Sequence, residues 1–245
     1  MSALLAQSPL PAADESLVVA GVIIPEDERV LTSPIRAAML AGQFEAEESA
    51  QIPHIVRGGD RVLEIGAGIG FISTLLAREP RVSAVVAVEA NPHLLDYMGR
   101  LHASNHVAKV RRLNAILTNA AAETATFYLR RDFWMGSLSA EPNAFIATVE
   151  VPTMNLDALL RDEAISLIVC DVEGAEADLF EHADLSGVDR IFVETHDHVT
   201  GLSGVRRLFE TMQAQGFVYD PRHSTGSVVL FQRLGDADIV RPYAG

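Results

Sequence analysis

The chain has 245 residues, a formal net charge of −14 and 49% hydrophobic residues, enough for one α/β domain with a full core and an N-terminal elaboration. Its pI near 4.9, with basic doublets only at Arg111-Arg112 and Arg130-Arg131, excludes nucleic acid as the main partner, because a phosphate surface needs clustered cations to displace its counterions. No apolar run reaches the ~18 residues of a membrane span, Asp14 and Glu15 interrupt the N-terminal apolar stretch where a signal peptide would carry none, and the lone Cys170 has no disulfide partner, so no membrane and a cytoplasmic location are expected.

Residues 1–28, punctuated by Pro9, Pro11 and Pro25, read as a loosely ordered arm in which 16–24 forms a short strand or a packed segment. Helical patterns at 33–41 and 44–56 follow, separated by Gly42, the second crossing Pro53. Arm and helices make residues 1–57 a cap on a domain filling 58–245.

From Asp60 the pattern alternates: strand 61–65, helix 71–78, strand 82–88, helix 92–104, strand 110–113. Such alternation implies a parallel sheet wound with right-handed crossovers. A hairpin insertion at about 123–152 pairs 123–129 with 149–152 and holds Phe133, Trp134 and Met135 in its loop, as a lid, core packing or a dimer contact. Helix 156–161, strand 166–170, helix 173–182, strand 190–193 and helix 204–215 continue the alternation. Strands 217–219 and 227–232, turning through 221–226, close it as an antiparallel pair. The fold class is α/β: a doubly wound, seven-stranded, mostly parallel, Rossmann-like sheet with an antiparallel C-terminal hairpin and an N-terminal helical cap. The mean hydropathy of +0.19 hints at a homodimer face or an apolar substrate cleft.

The chemistry concentrates at the strand ends. Residues 62–70 read Val-Leu-Glu-Ile-Gly-Ala-Gly-Ile-Gly, and 85–91 read Val-Val-Ala-Val-Glu-Ala-Asn. Gly66, Gly68 and Gly70 let a backbone approach a ligand closely, and Glu89, ending the next strand, is placed to accept both hydrogens of a ribose diol. A dinucleotide turn wants Gly-x-Gly-x-x-Gly, whereas Phe71 occupies the third-glycine position here, which counts against an NAD-dependent oxidoreductase. Asp171 closes the fourth parallel strand, beside the first at the switch point where ligands bind. Glu173 and Glu176 open the ensuing helix, where capping alone accounts for an acid. After the fifth strand, Glu194-Thr195-His196-Asp197-His198 offers imidazoles near neutral pKa at the same sheet edge. The remaining histidines lack metal-ligand spacing and read as surface residues, and Cys170 reads as buried and inert.

Glu64 with the three glycines resembles motif I of S-adenosylmethionine enzymes, and seven strands with a closing antiparallel pair resemble the class I methyltransferases. Residues 62–70, 86–92, 151–160 and above all 167–176, Leu-Ile-Val-Cys-Asp-Val-Glu-Gly-Ala-Glu, are similar to the FkbM methyltransferases, over roughly residues 42–200. The departures are Cys170, where a lysine is common, and Ala67. The resemblance implies S-adenosylmethionine as cofactor and O-methylation of a small-molecule hydroxyl, of a natural product or sugar. It also implies Asn114 at the adenine edge, Ala90 and Ala115 on the ring, and Glu45 at the cofactor's amino-acid end. Glu64 holds either the glycine loop or the methionine amine.

An attacking hydroxyl must lose its proton, and a positioned base contributes roughly 10²- to 10⁴-fold. His196 is the first expectation for that base, with Asp171 as orienting partner or alternate base and His198 as second choice. Asp-Val-Glu-Gly lacks the prolines and aromatic of amine-directed sites, which favours oxygen as acceptor. A weaker alternative places Mg²⁺ on Asp171, Glu194, His196 and Asp197. A non-catalytic protein that kept the cofactor fold is the remaining alternative.

Overall fold

The computed structural model describes residues 16–235, so the arm read at residues 1–15 lies outside them. The described chain opens with a hairpin of β1 (Leu17–Val19) and β2 (Val22–Ile24). Asn105 ties it down, accepting from Ile23 N at 2.8 Å and donating to Ile23 O at 2.7 Å. Helices α1 (Ser33–Leu40) and α2 (Ala46–Ile55) follow. Their buried faces, Ile35 and Met39 on one and Ile52 and Ile55 on the other, share one apolar core with Val62, Phe71 and Val85. The end of α2 is pinned by Arg190, which is 1% exposed and donates to Ile55 O at 2.6 Å and to Asp60 Oδ1 at 2.6 Å. Burial by itself would raise the Asp60 carboxyl; the Arg190 and Arg57 donors override it and hold it below its ordinary value.

The chain then runs β3 (Asp60–Ile65), α3 (Phe71–Arg78), β4 (Val82–Glu89), α4 (Leu95–Ser104) and β5 (Val110–Asn114). A side sheet of β6 (Ile116–Thr118), β7 (Thr124–Leu129) and β8 (Ala147–Asn155) interrupts the winding, in the order β6-β8-β7. The winding resumes with α5 (Leu156–Asp162), β9 (Leu167–Cys170), α6 (Glu176–Glu181), β10 (Arg190–Glu194), α7 (Asp197–Ala214), β11 (Phe217–Tyr219) and β12 (Val228–Arg233). The main sheet has the order β11-β12-β10-β9-β3-β4-β5. Only β12 runs against its neighbours, pairing antiparallel with β10 and β11. The buried runs Val62-Leu63-Glu64-Ile65 and Leu167–Cys170 reflect a sheet covered on both faces. Strand order reverses between β3 and β9, which pair in parallel with Ile65 opposite Cys170, so a crevice opens at their carboxyl ends.

The predicted sheet is the observed one, and the differences are local. β6 is additional, a three-residue strand paired in parallel with β8. Helix α6 begins at Glu176 rather than at 173, because Glu173 (φ 52) and Gly174 (φ 100) form a left-handed turn first. A Cβ on Gly174 would lie 2.6 Å from Val199 Cγ1, so glycine is needed there for packing as well as conformation. Helical backbone starts at Asp197, earlier than expected, and breaks at Gly201 (φ 66, ψ 174). Among the described residues no helix is long and apolar enough to cross a membrane.

Candidate active site

A cavity of about 750 Å³ occupies the carboxyl ends of β3, β4, β9 and β10. Its floor is the glycine turn, and each glycine there has a different reason. Gly66 (φ 85) is required by its neighbour: a Cβ would lie 1.7 Å from the carbonyl oxygen of Asp171. Gly66 N and Ala67 N both donate to Val88 O at 3.0 Å, and Asp171 N donates to Ile65 O at 2.9 Å, so the turn is stitched to both adjoining strand ends. Gly68 lines the cavity and donates its N–H to Glu89 Oε2 at 2.7 Å. Gly70, expected to approach a ligand, does not line the cavity; a Cβ there would meet Met98 Cγ at 2.5 Å and His102 Nε2 at 2.8 Å, so this glycine serves helix packing against α4.

Glu64 and Glu89 line the cavity, 3% and 6% exposed. Glu64 Oε1 accepts from Ser73 N at 2.9 Å, while Oε2 is buried with no donor. Burial pushes this carboxyl up to about 8, offset by Ser73 and reinforced by the charge of Glu89. Glu89 accepts from Asn91 N at 2.6 Å through Oε1 as well as from Gly68, and burial pushes it up to about 7 against those bonds. Ala90 and Ala115 are on the cavity wall. Asn114 is not: its Nδ2 donates to Glu89 O at 2.8 Å and Ala90 O at 2.9 Å, tying the loop after β4 from behind.

Five more carboxylates line the cavity: Glu45, Glu48, Asp171, Glu173 and Glu194. Asp178 lines it as well, and among the described residues no lysine or arginine does. Glu45 and Glu173 both have left-handed backbone (φ 50 and φ 52), an uncommon conformation outside glycine. Burial raises Glu45 and Asp171 well above the ordinary carboxylate range, helped by the charges of Asp171 and Glu194 respectively. Burial also pushes Glu48 and Glu173 up to about 7.

His196 stands behind this cluster rather than in the cavity. It is 5% exposed, with Nδ1 2.5 Å from Glu176 Oε1. Its Nε2 is 3.3 Å from Asp171 Oδ1, 3.8 Å from Glu173 Oε2 and 3.9 Å from Glu194 Oε2. Although Asp171 Oδ1 is buried that close to the imidazole, no donor is aligned on it for a hydrogen bond. Burial would lower the histidine; the bond to Glu176 and the charges of Asp171 and Glu173 override it and push His196 up to about 9. The imidazole does not line the cavity, whereas Asp171 beside it does. His198 and Asp197 are exposed and line no part of it, which removes them as a base and as a ligand.

Glu48 and Glu176 escaped sequence reasoning. Glu48 lies in the first turn of α2, three residues after Glu45, which caps that helix in a left-handed conformation. Nothing in the pattern separates Glu176 from a solvated first-turn acid. His102, expected at the surface, is buried under the glycine turn with Nε2 3.1 Å from Ser73 Oγ, and burial pushes it down to about 4.

The opposite wall is aromatic. Phe44 and Trp134 stack with ring centroids 6.3 Å apart, and Phe71 and Phe133 meet Phe44 edge-on. Buried Arg130 shapes the hairpin loop from inside, donating to Met135 O at 3.0 Å and Ser139 O at 2.8 Å.

Residues 64–219 match the methyltransferase FkbM domain, a span that contains the glycine turn, Glu89, Asp171 and His196. The chain belongs to the FkbM methyltransferase family. It is thus an S-adenosylmethionine-dependent methyltransferase, and the oxidoreductase reading is displaced. No curated protein matches this FkbM chain. Among solved structures, Trm5b from Pyrococcus abyssi is 15% identical, with 89% of this chain and 55% of that chain covered at a TM-score of 0.49. M. jannaschii TYW2 in complex with AdoMet is 15% identical, with 89% and 86% covered at a TM-score of 0.47. Precorrin-6y C5,15-methyltransferase from Geobacter metallireducens GS-15 is 12% identical, with 91% and 96% covered at a TM-score of 0.43. The chain therefore spans little more than half the length of the Pyrococcus abyssi protein.

Proposed function

We propose that this FkbM methyltransferase methylates a hydroxyl oxygen of a small molecule, with Asp171 as the base and His196 as its positioning residue. The observation that carries the reading is a cavity lined, among the described residues, by carboxylates and by no lysine or arginine, in which Asp171 is backed by an imidazole. S-adenosylmethionine has a sulfonium and an ammonium against a single carboxylate, so an acid-rich wall fits it and a polyanionic acceptor does not. Glu89 accepts the ribose diol through the lone pairs that Gly68 and Asn91 leave free, and Ala90 and Ala115 flank the adenine. The donorless Glu64 Oε2 meets the ammonium, with Glu45 beside it.

When bound, S-adenosylmethionine supplies an electrophilic methyl on a neutral leaving group. The chain's part is to hold the acceptor in line and take its proton. Asp171 is favoured for that proton over His196 because the carboxyl faces the cavity and the imidazole does not. The Glu176–His196–Asp171 line fixes the carboxyl's direction. An amine acceptor has less need of a carboxylate base, and a cavity built around one favours oxygen. The aromatic wall suits an acceptor with an apolar part.

The test is transfer of labelled methyl from S-adenosylmethionine to a panel of sugar and polyketide alcohols and matching amines, with S-adenosylhomocysteine binding measured in parallel. Asp171→Asn is expected to lower kcat about 10²- to 10⁴-fold while leaving that binding nearly unchanged. Preferential methylation of amines, or full turnover in Asp171→Asn, would overturn the assignment. Binding of S-adenosylhomocysteine with no transfer to any acceptor would favour a protein that only binds the cofactor.

A further inference from the structure

Three carboxylates from separate elements, Asp171 after β9, Glu173 in the left-handed turn and Glu194 at the end of β10, face the Nε2 edge of one buried imidazole. The direction of that edge is set from behind. Glu176 Oε1 accepts from Gly174 N at 2.9 Å and lies 2.5 Å from His196 Nδ1, so Nδ1 is the donor and Nε2 is left to face the carboxylates. A histidine held through its far nitrogen by a buried carboxylate is the arrangement that orients an imidazole toward a metal. Asp171 Oδ1, buried and without an aligned donor, points to the same place.

We propose that Asp171, Glu173 and His196, with Glu194 at the edge, form a site for a divalent cation of the Mg²⁺ or Mn²⁺ type at the acceptor end of the cavity. The inference rests on reading this cavity as the methyl-transfer site and adds to it the means of activating the hydroxyl. Distances fit: ligand atoms about 2.1 Å from a Mg²⁺ lie about 3.0 Å apart when adjacent and about 4.2 Å when opposite. The separations of His196 Nε2 from the three carboxylate oxygens, 3.3, 3.8 and 3.9 Å, fall between those limits. One ligand atom each from Asp171, Glu173 and His196 lie within 4.8 Å of one another. Carboxylate oxygens with a single imidazole and no thiolate favour Mg²⁺ or Mn²⁺ over Cu²⁺ or Zn²⁺. Glu173 enters the set and exposed Asp197 leaves it, relative to the set read from the sequence. The ion would act as a Lewis acid on the acceptor oxygen, with the second oxygen of Asp171 left to take its proton.

The experiment uses the full chain stripped of metal, titrated with Mn²⁺ and followed by the loss of the free-ion electron paramagnetic resonance signal. Binding of S-adenosylhomocysteine is measured on the same samples. Saturable binding at one equivalent, competed by Mg²⁺ and showing a ¹⁴N coupling from a coordinated imidazole, is expected. Glu173→Gln, at a half-buried position, should weaken Mn²⁺ about tenfold or more, and His196→Ala should abolish the ¹⁴N coupling. If S-adenosylhomocysteine binds but Mn²⁺ does not, or Mn²⁺ binds without ¹⁴N coupling or equally well to Glu173→Gln, the cation site is wrong and the methyl-transfer reading stands. Failure of S-adenosylhomocysteine to bind would instead strike at that reading.

Discussion

Replacing Glu64 with glutamine keeps the shape of the cavity floor and removes a charge that the ligand-free protein tolerates poorly. The amide oxygen can still accept from Ser73 N, the bond that Oε1 makes at 2.9 Å. Burial pushes the Glu64 carboxyl up to about 8 from an ordinary 4.5, so the fold prefers it neutral. A folded-state value above the unfolded one means that the stabilisation is complete below about pH 4.5 and is lost as pH rises through about 8. At about 1.4 kcal/mol per pH unit the loss has a ceiling of about 5 kcal/mol, and relaxation of the site with water entry should leave roughly half of it. The amide does not titrate. Urea unfolding of ligand-free protein should therefore show the variant equal to wild type near pH 4.5 and more stable by roughly 2–3 kcal/mol at about pH 8.5. Ligand binding should move the other way. Loss of a charge-assisted bond from an ammonium, about 1.5–3 kcal/mol, lowers S-adenosylhomocysteine affinity by roughly 10- to 100-fold at pH 8, measured by calorimetry. Parallel stability curves for the two proteins across this pH range, or an unchanged affinity, would refute the assigned role.

Gly70→Ala should destabilise the protein by about 2 kcal/mol or more in urea titrations, because its Cβ meets Met98 and His102 below 3 Å at a φ of 86; a neutral result would mean that α4 yields freely. Asn114→Ala removes two hydrogen bonds to the carbonyls of Glu89 and Ala90, so a stability loss of about 1–3 kcal/mol is expected with S-adenosylhomocysteine affinity within about threefold of wild type. A much larger affinity loss would return Asn114 to the adenine edge. Arg190→Met strands Asp60 as a buried charge and should cost about 3–5 kcal/mol by denaturant titration, with a large part recovered in the double variant that adds Asp60→Asn.

The strand ends were legible because an acid inside or closing an apolar run is conspicuous: Glu64 within β3, and Glu89 and Asp171 at strand ends, all reach the cavity. Acids on short helices carry no such mark, so Glu48 and Glu176 were indistinguishable from solvated ones. His196 was found by its place after β10, but its orientation is set by a contact with α6, which no spacing encodes, and the imidazole therefore stands behind Asp171 rather than before it. The glycines were read as a single motif, whereas two of the three answer to protein neighbours, Asp171 and α4. β6 was missed because three residues, Ile116–Thr118, are too few to show periodicity.

The sign of the cavity wall bears on what happens after each turnover. Methyl transfer converts a sulfonium into an uncharged thioether, so the departing nucleoside carries one positive charge fewer than the arriving one. A wall of carboxylates with no lysine or arginine among its described residues should therefore attract the fresh donor more strongly than the spent one, so that discharge of the ligand itself loosens the grip. Relief of product inhibition by the same residues that capture the donor is the expected outcome, and added salt should narrow the gap between the two affinities.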